Sequence, residues 1–121
     1  MARTAVTVEV LSRTGAATGA GTVADTTNDH VVDLGGYPLE EFVFRFTNTN
    51  GSDRVATILA GDNPPALSAG QGNLDITVPA TTGDMTVAGL ESARYLQSDG
   101  TILIDLATSF AGAVRAIRVP R

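Results

Sequence analysis

The sequence predicts an all-β domain: a single-domain β-sandwich or jelly-roll-like barrel of about eight to nine short strands. Three observations predict it. Apolar and polar residues alternate with period two almost from end to end, which is the pattern of half-buried strands and not of helices. Clusters of Gly, Pro, Asn, Asp and Ser interrupt that alternation at spacings of about 8–12 residues, as turns between short strands do. The chain has 121 residues, 43% hydrophobic and 17% charged, so residues 1–121 are expected to form one domain that buries a core without staples.

The first strand is read from Val6, Val8 and Val10, which share one face, with Ala5, Thr7 and Glu9 on the other. Ser12 to Thr27 follows, rich in Gly, Ala and Thr, with Val23 as its one large apolar residue. It is expected to be a long loop or arm (12–27) that gains order by contact with something else. A strand from His30 to Leu34 ends at Gly35-Gly36. Glu41 to Asn48 carries the clearest alternation in the chain: Phe42, Phe44 and Phe46 face one way, Val43, Arg45 and Thr47 the other. Asn48-Thr49-Asn50-Gly51-Ser52-Asp53 tolerates left-handed backbone and is read as a hairpin turn into Arg54 to Ala60. Gly61 to Pro65 breaks that strand, because proline cannot donate to a ladder. Leu74, Ile76 and Val78 mark the next one-sided strand. Asp84–Ala88, Glu91–Gln97, Thr101–Leu106 and Gly112–Val119 complete the set, with Ser98-Asp99-Gly100 as a hairpin turn. Leu90 to Gln97 is the one place where a helical turn competes with strand, through the spacing of Leu90, Ala93 and Leu96.

The chemistry-bearing residues are few. Cysteine is absent, which excludes disulfides, zinc–thiolate and iron–sulfur sites, and a thiol nucleophile. His30 is the only histidine. It is flanked by Asp29 and Asp33, and no Gly-x-Ser-x-Gly elbow accompanies it, so it is read as a surface residue at a strand start and not as a catalytic base. Asp25, Asp29 and Asp33 recur every four residues, and Asp62-Asn63 sits in a loop. Neither fits the spacing of a calcium loop, and solvated carboxylates are expected. The stretches Gly15 to Gly21 and Gly70-Gln71-Gly72 lack the lysine and the following helix of a phosphate loop. The phenylalanine stripe is read as core and not as a stacking platform, because it alternates cleanly with polar residues. No enzyme and no cofactor is expected.

Eight basic residues face thirteen acidic ones, for a formal net charge of −5. All eight are arginine: Arg3, Arg13, Arg45, Arg54, Arg94, Arg115, Arg118 and Arg121. They are scattered among carboxylates, which disfavours nucleic-acid binding. Arg115, Arg118 and Arg121 lie close together, with Arg115 and Arg118 on opposite faces of an extended strand. With Arg3 and Arg13, these are the candidate partner contacts. Met1 to Val10 alternates instead of building an apolar signal segment, and no apolar run reaches the ~18 residues of a membrane span. The protein is therefore expected to be made in the cytoplasm, with no membrane partner, and the glycosylation pattern Asn50-Gly51-Ser52 is incidental.

The segments Ala60-Gly61-Asp62-Asn63-Pro64-Pro65-Ala66-Leu67, Leu90-Glu91-Ser92-Ala93-Arg94-Tyr95-Leu96-Gln97 and Ala113-Val114-Arg115-Ala116-Ile117-Arg118-Val119-Pro120-Arg121, with the lysine-free composition, give the chain a resemblance over nearly its whole length. It resembles small virion proteins of tailed bacteriophages that infect high-GC actinobacterial hosts. The resemblance implies a head decoration or minor capsid protein without enzymatic activity. It would sit on the outside of the capsid, bound to the major capsid protein, as a homo-oligomer, with a trimer expected. A head–tail connector or tail component is the alternative in the same setting. A β-sandwich module that binds carbohydrate or peptide is the alternative from another class.

Overall fold

The longer strands form because their alternate residues have a common apolar face to bury, and those faces meet between two sheets. The computed structural model describes residues 3–15, 21–61 and 72–119. Among these residues ten strands are present: β1 (Thr4–Ala5), β2 (Val8–Val10), β3 (Thr22–Val23), β4 (His30–Asp33), β5 (Phe42–Asn48), β6 (Arg54–Ile58), β7 (Leu74–Val78), β8 (Gly83–Ala88), β9 (Thr101–Leu106) and β10 (Gly112–Arg118). A 3₁₀ turn covers Leu39–Glu41, and a single helical turn, α1, covers Ser92–Tyr95. The all-β sandwich expected from the sequence is what the chain forms.

One five-stranded sheet has the order β1-β4-β9-β6-β7; the other has β2-β10-β5-β8, with β3 also paired to β10. All pairings are antiparallel except β1 with β4 and β2 with β10, which are parallel. Between the sheets lie Phe42, Phe44 and Phe46 from β5, Val114 and Ala116 from β10, Ile102, Ile104 and Leu106 from β9, Ala56 and Ile58 from β6, Ile76 and Val78 from β7, and Val32 from β4. The phenylalanine stripe is therefore core, and its volume is matched by small neighbours: Phe44 is directly opposite Ala116 on one side and Val87 on the other. Phe42 and Phe44 are stacked, with ring centroids 6.4 Å apart.

Several sequence expectations change. The first strand is two strands. Residues 4–5 pair with β4 in one sheet and residues 8–10 pair with β10 in the other, because the chain crosses between sheets at Val6, which is buried and donates its N–H to the Val31 carbonyl at 2.9 Å. Alternation continues through such a switch, so periodicity does not reveal it. Residues 16–20 of the stretch 12–27 lie outside the described residues, and of the rest Thr22–Val23 are no free arm, since they pair with Val114–Ala113 of β10. The Asn48–Asp53 segment is not a hairpin turn. It is a corner between sheets, because β5 and β6 belong to different sheets. Within Leu90–Gln97, Ser92–Tyr95 form α1, and the stretch is not a strand. Ser98-Asp99-Gly100 consequently turns the chain from α1 into β9, closed by a Gly100 N–H to Gln97 carbonyl bond of 3.0 Å, and joins no hairpin.

The corner has a specific cause. Asn48, one of two fully buried polar residues among those described, donates its amide to the carbonyls of Ser52, Val78 and Pro79 at 3.0, 3.1 and 3.2 Å and accepts the Asn50 N–H at 3.0 Å. One side chain thus ties the end of β5 to the end of β7 across the sandwich. At the same end, Gly112 opens β10 with φ +126°, and a Cβ there would lie 2.1 Å from the Thr47 carbonyl oxygen. Gly112→Ala is expected to lose about 1–3 kcal/mol. A urea midpoint unchanged from the parent would show that the close approach of β10 to β5 is not required.

Candidate functional site

The candidate contact arginines are the natural place to look for a site, and the folded domain distributes them widely. The Arg3 guanidinium forms an ion pair with Asp105 of β9 at 2.7 Å and donates to the carbonyls of His30 and Ile104 at 3.3 and 3.2 Å. Arg115 pairs with Glu9 of β2 at 2.7 Å, and both side chains are largely buried, 12% and 13% exposed. Arg118 reaches Glu41 through Nε at 3.2 Å, and its guanidinium lies 3.4 Å from the centroid of the Tyr37 ring. Arg115 and Arg118 fall on opposite faces of β10, and each already has a carboxylate within the domain. Arg13 is exposed on the turn that Ser12 closes by donating to the Gly15 carbonyl at 2.7 Å. Arg121 lies outside the described residues.

The outer face of the β2-β10-β5-β8 sheet carries a charge ladder that no spacing in the sequence announces. Arg115 and Arg45 sit directly opposite each other on β10 and β5. Like charges in that position repel. Each is offset by a carboxylate on the strand beyond it: Glu9 of β2 for Arg115, and Asp84 of β8 for Arg45, whose Nε donates to the Asp84 carboxylate at 2.8 Å. The Arg45 hydrogen bond holds the Asp84 carboxyl below its ordinary value, and the same contact raises the guanidinium. Glu9→Gln keeps the shape but removes the charge facing Arg115, and is expected to lose about 1–2 kcal/mol. A double-mutant cycle with Arg115→Met that shows no coupling would contradict the pairing.

The second polar cluster surrounds His30, and here the surface position expected from the sequence is corrected: His30 is fully buried. Its Nε2 accepts the Asp25 backbone N–H at 2.9 Å, and its Nδ1 lies 3.2 Å from the Thr4 carbonyl. An amide can only donate and a carbonyl only accept, so the ring is neutral with its proton on Nδ1. Burial pushes the His30 pKa down. The Thr4 carbonyl and the charges of Asp25 and Asp29 oppose that, and Arg3 adds to it. Asp25 is held down to about 2, first by the hydroxyl of Thr4 and then by the Asn28 N–H. Its Oδ1 accepts from the backbone of Thr27 and Asn28, each at 3.0 Å.

The recurring aspartates are likewise spent on local structure. Asp29, at φ 60°, accepts the Leu106 N–H at 2.9 Å, and Asp33 accepts the Gly35 N–H at 2.9 Å. Among the described residues there is no group of three or more His, Asp or Glu placed to hold a metal ion. Asp62 lies outside them. Among the same residues no helix is long and apolar enough to cross a membrane. What the domain offers is a set of surfaces: the balanced outer ladder, an end where Val10, Tyr37 and Val119 are exposed near Arg118, and the edges of the two sheets. Sequence reasoning did not find Glu9, Glu41, Asp84, Asp105 or Tyr37 as partners, because cross-strand register brings them together and leaves no mark on spacing. Comparison with protein-family models, with characterised proteins and with solved structures finds no match for this chain.

Proposed function

We propose that the chain is a structural virion protein: a decoration or minor capsid protein that binds the exterior of a tailed-phage head, in contact with the major capsid protein, and stabilises the lattice without catalysing a reaction. The strand order carries the reading. Setting aside β1 and β2, β3-β10-β5-β8 faces β4-β9-β6-β7, and every link from β3 to β10 crosses between sheets except β6 to β7. We read this as two Greek keys of a jelly roll, an architecture used by viral capsid and lectin domains. That support is architectural and gains from the resemblance of the sequence to small phage virion proteins. A decoration protein acts by adding contact area to a shell, which asks for a rigid body with pre-formed surfaces and no reaction centre. The internally paired arginines suit such a body. They hold its strands in place and leave contact to its faces and edges.

The test is co-expression with the major capsid protein encoded by neighbouring genes, followed by particle purification and cryo-electron microscopy. The expected result is retention of the chain on particles, with density on the outer surface and heads that resist heat better than bare ones. Particles that form without retaining it would overturn the proposal, and retention at the tail vertex alone would favour a connector. Glycan binding without particle association would favour a lectin-like module.

A further inference from the structure

The edge strands differ in how well they are covered. β1, β2 and β3 are two, three and two residues long, too short to template a partner. β8 is six residues, longer than the five-residue edge strand β7 of the other sheet, and Asp84, Met85, Thr86 and Ala88 are exposed on it. Natural edges are usually guarded by lysine, proline or an inward-pointing charge. β8 has none of these. Its one charge, Asp84, is already matched by Arg45 on the adjacent strand of the same domain.

The strand is also held ready. At its start the Ala80 N–H donates to Asp53 and the Thr81 N–H to the Asn50 carbonyl, both at 2.8 Å. A Cβ on Gly83 would meet the Pro79 carbonyl oxygen at 1.9 Å, so the chain folds tightly from β7 into β8. An edge fixed in this way loses little entropy when a partner strand adds to it.

We infer that β8 pairs with β8 of a second copy, antiparallel about a two-fold axis through Thr86, joining the two β2-β10-β5-β8 sheets into one. Self-complementarity names a second copy as the occupant and sets the register. Met85 and Val87 lie opposite Phe46 and Phe44, on the core side of the strand, while Asp84, Thr86 and Ala88 lie on the outer side. Pairing that keeps sides matched centres on a residue, and within Gly83–Ala88 only Met85 and Thr86 as centres pair five residues, against three or one for the others. A centre at Asp84 sets two carboxylates directly opposite, and a centre at Met85 leaves them on adjacent positions. The centre at Thr86 places each Asp84 against Ala88, four positions from its counterpart. It also sets the 38%-exposed Met85 of each copy against Val87 of the other. The pairing is isologous and stops at two copies, which sets it apart from the trimer that the resemblance implies. It does not depend on the proposed role in the virion.

The chain has no cysteine, so single cysteines report the register directly. Sedimentation equilibrium over rising concentration is expected to show the weight-average mass doubling for the parent, while Thr86→Lys, which sets two ammonium groups face to face, stays monomeric and keeps the parent's thermal midpoint at dilutions where the parent is itself monomeric. Thr86→Cys is expected to form a disulfide-linked dimer on mild oxidation, since directly opposed residues of an antiparallel pair fall within disulfide reach. Thr77→Cys, on the edge of the other sheet, serves as the control. A parent that stays monomeric, a trimer, dimers undiminished in Thr86→Lys, or cross-linking as fast at Thr77→Cys as at Thr86→Cys would each overturn the inference.

Discussion

Phe44→Ala is expected to lower stability by about 3–5 kcal/mol, a large share of the roughly 5–15 kcal/mol that holds a domain of this kind together. The ring is fully buried in the centre of the sandwich. It stacks on Phe42 and fills the space left by Ala116 across the ladder. Neighbours of that size cannot close over the hole, so a cavity term adds to the lost transfer energy. Equilibrium urea unfolding checks it: the midpoint falls while the slope holds. Thr77→Ala, exposed on β7, should stay within about 0.5 kcal/mol of the parent. A Phe44→Ala midpoint equal to the parent's would place the aromatic stripe outside the core.

The second large effect is expected at His30, both by substitution and by pH. His30→Phe preserves the volume but leaves the Asp25 N–H without its partner and takes the ring's bond from the Thr4 carbonyl, at a cost of about 2–4 kcal/mol. The pH effect follows from the same geometry. The ring binds its proton less readily in the folded chain than at its ordinary value of 6.5, because burial disfavours the charged form. A proton on Nε2 would also point at the Asp25 N–H. The unfolded state therefore binds more protons below that value, and stability is full above it and falls as the pH drops toward the folded value. Asp25, Asp29 and Arg3 face the ring, with Asp105 behind Arg3. Asp25 keeps its charge down to about 2, so the stability it adds is lost between its ordinary value of 3.8 and about 2, below the range of His30. Urea midpoints at about pH 7.5 and about pH 5 should differ in the parent and converge in His30→Phe. Equal pH dependence in both proteins would assign the effect to other groups.

Much of the fold was legible in the residues, and the reasons it was not all legible are physical. Phe42, Phe44 and Phe46 announce a core strand because period two and large apolar volume coincide. Val6, Val8 and Val10 announce a strand equally well, but alternation carries no information about which sheet a strand joins, so the switch at Val6 is silent. Thr22–Val23 is too short to show a period, and it is a strand only because β10 offers a partner. Asn48 looks like a turn residue and is one, yet whether it closes a hairpin or turns a corner depends on its three carbonyl partners, two of which lie about thirty residues away. His30 escapes the pattern for a related reason. A histidine between aspartates reads as surface until the Thr4 carbonyl and the Asp25 amide, from two other segments, close over both ring nitrogens. The ladder of Glu9, Arg115, Arg45 and Asp84 is a product of register, which pattern alone does not fix.

That the N-terminal strands and the Asp25–Asp29 turn belong to the folded domain, and are not an arm ordered only on assembly, decides whether the molecule meets its partners as a finished body. Amide hydrogen exchange on the isolated chain tests it most directly. The Val6, Ala24 and Asp25 amides donate to the Val31 carbonyl, the Gly112 carbonyl and the His30 ring at 2.9, 3.0 and 2.9 Å. They should exchange slowly, with protection approaching that of the β5 and β10 amides and far above that of Arg13 on its exposed turn. Exchange at Val6, Ala24 and Asp25 as fast as at Arg13 would contradict it, and would return the segment to the role of an assembly arm.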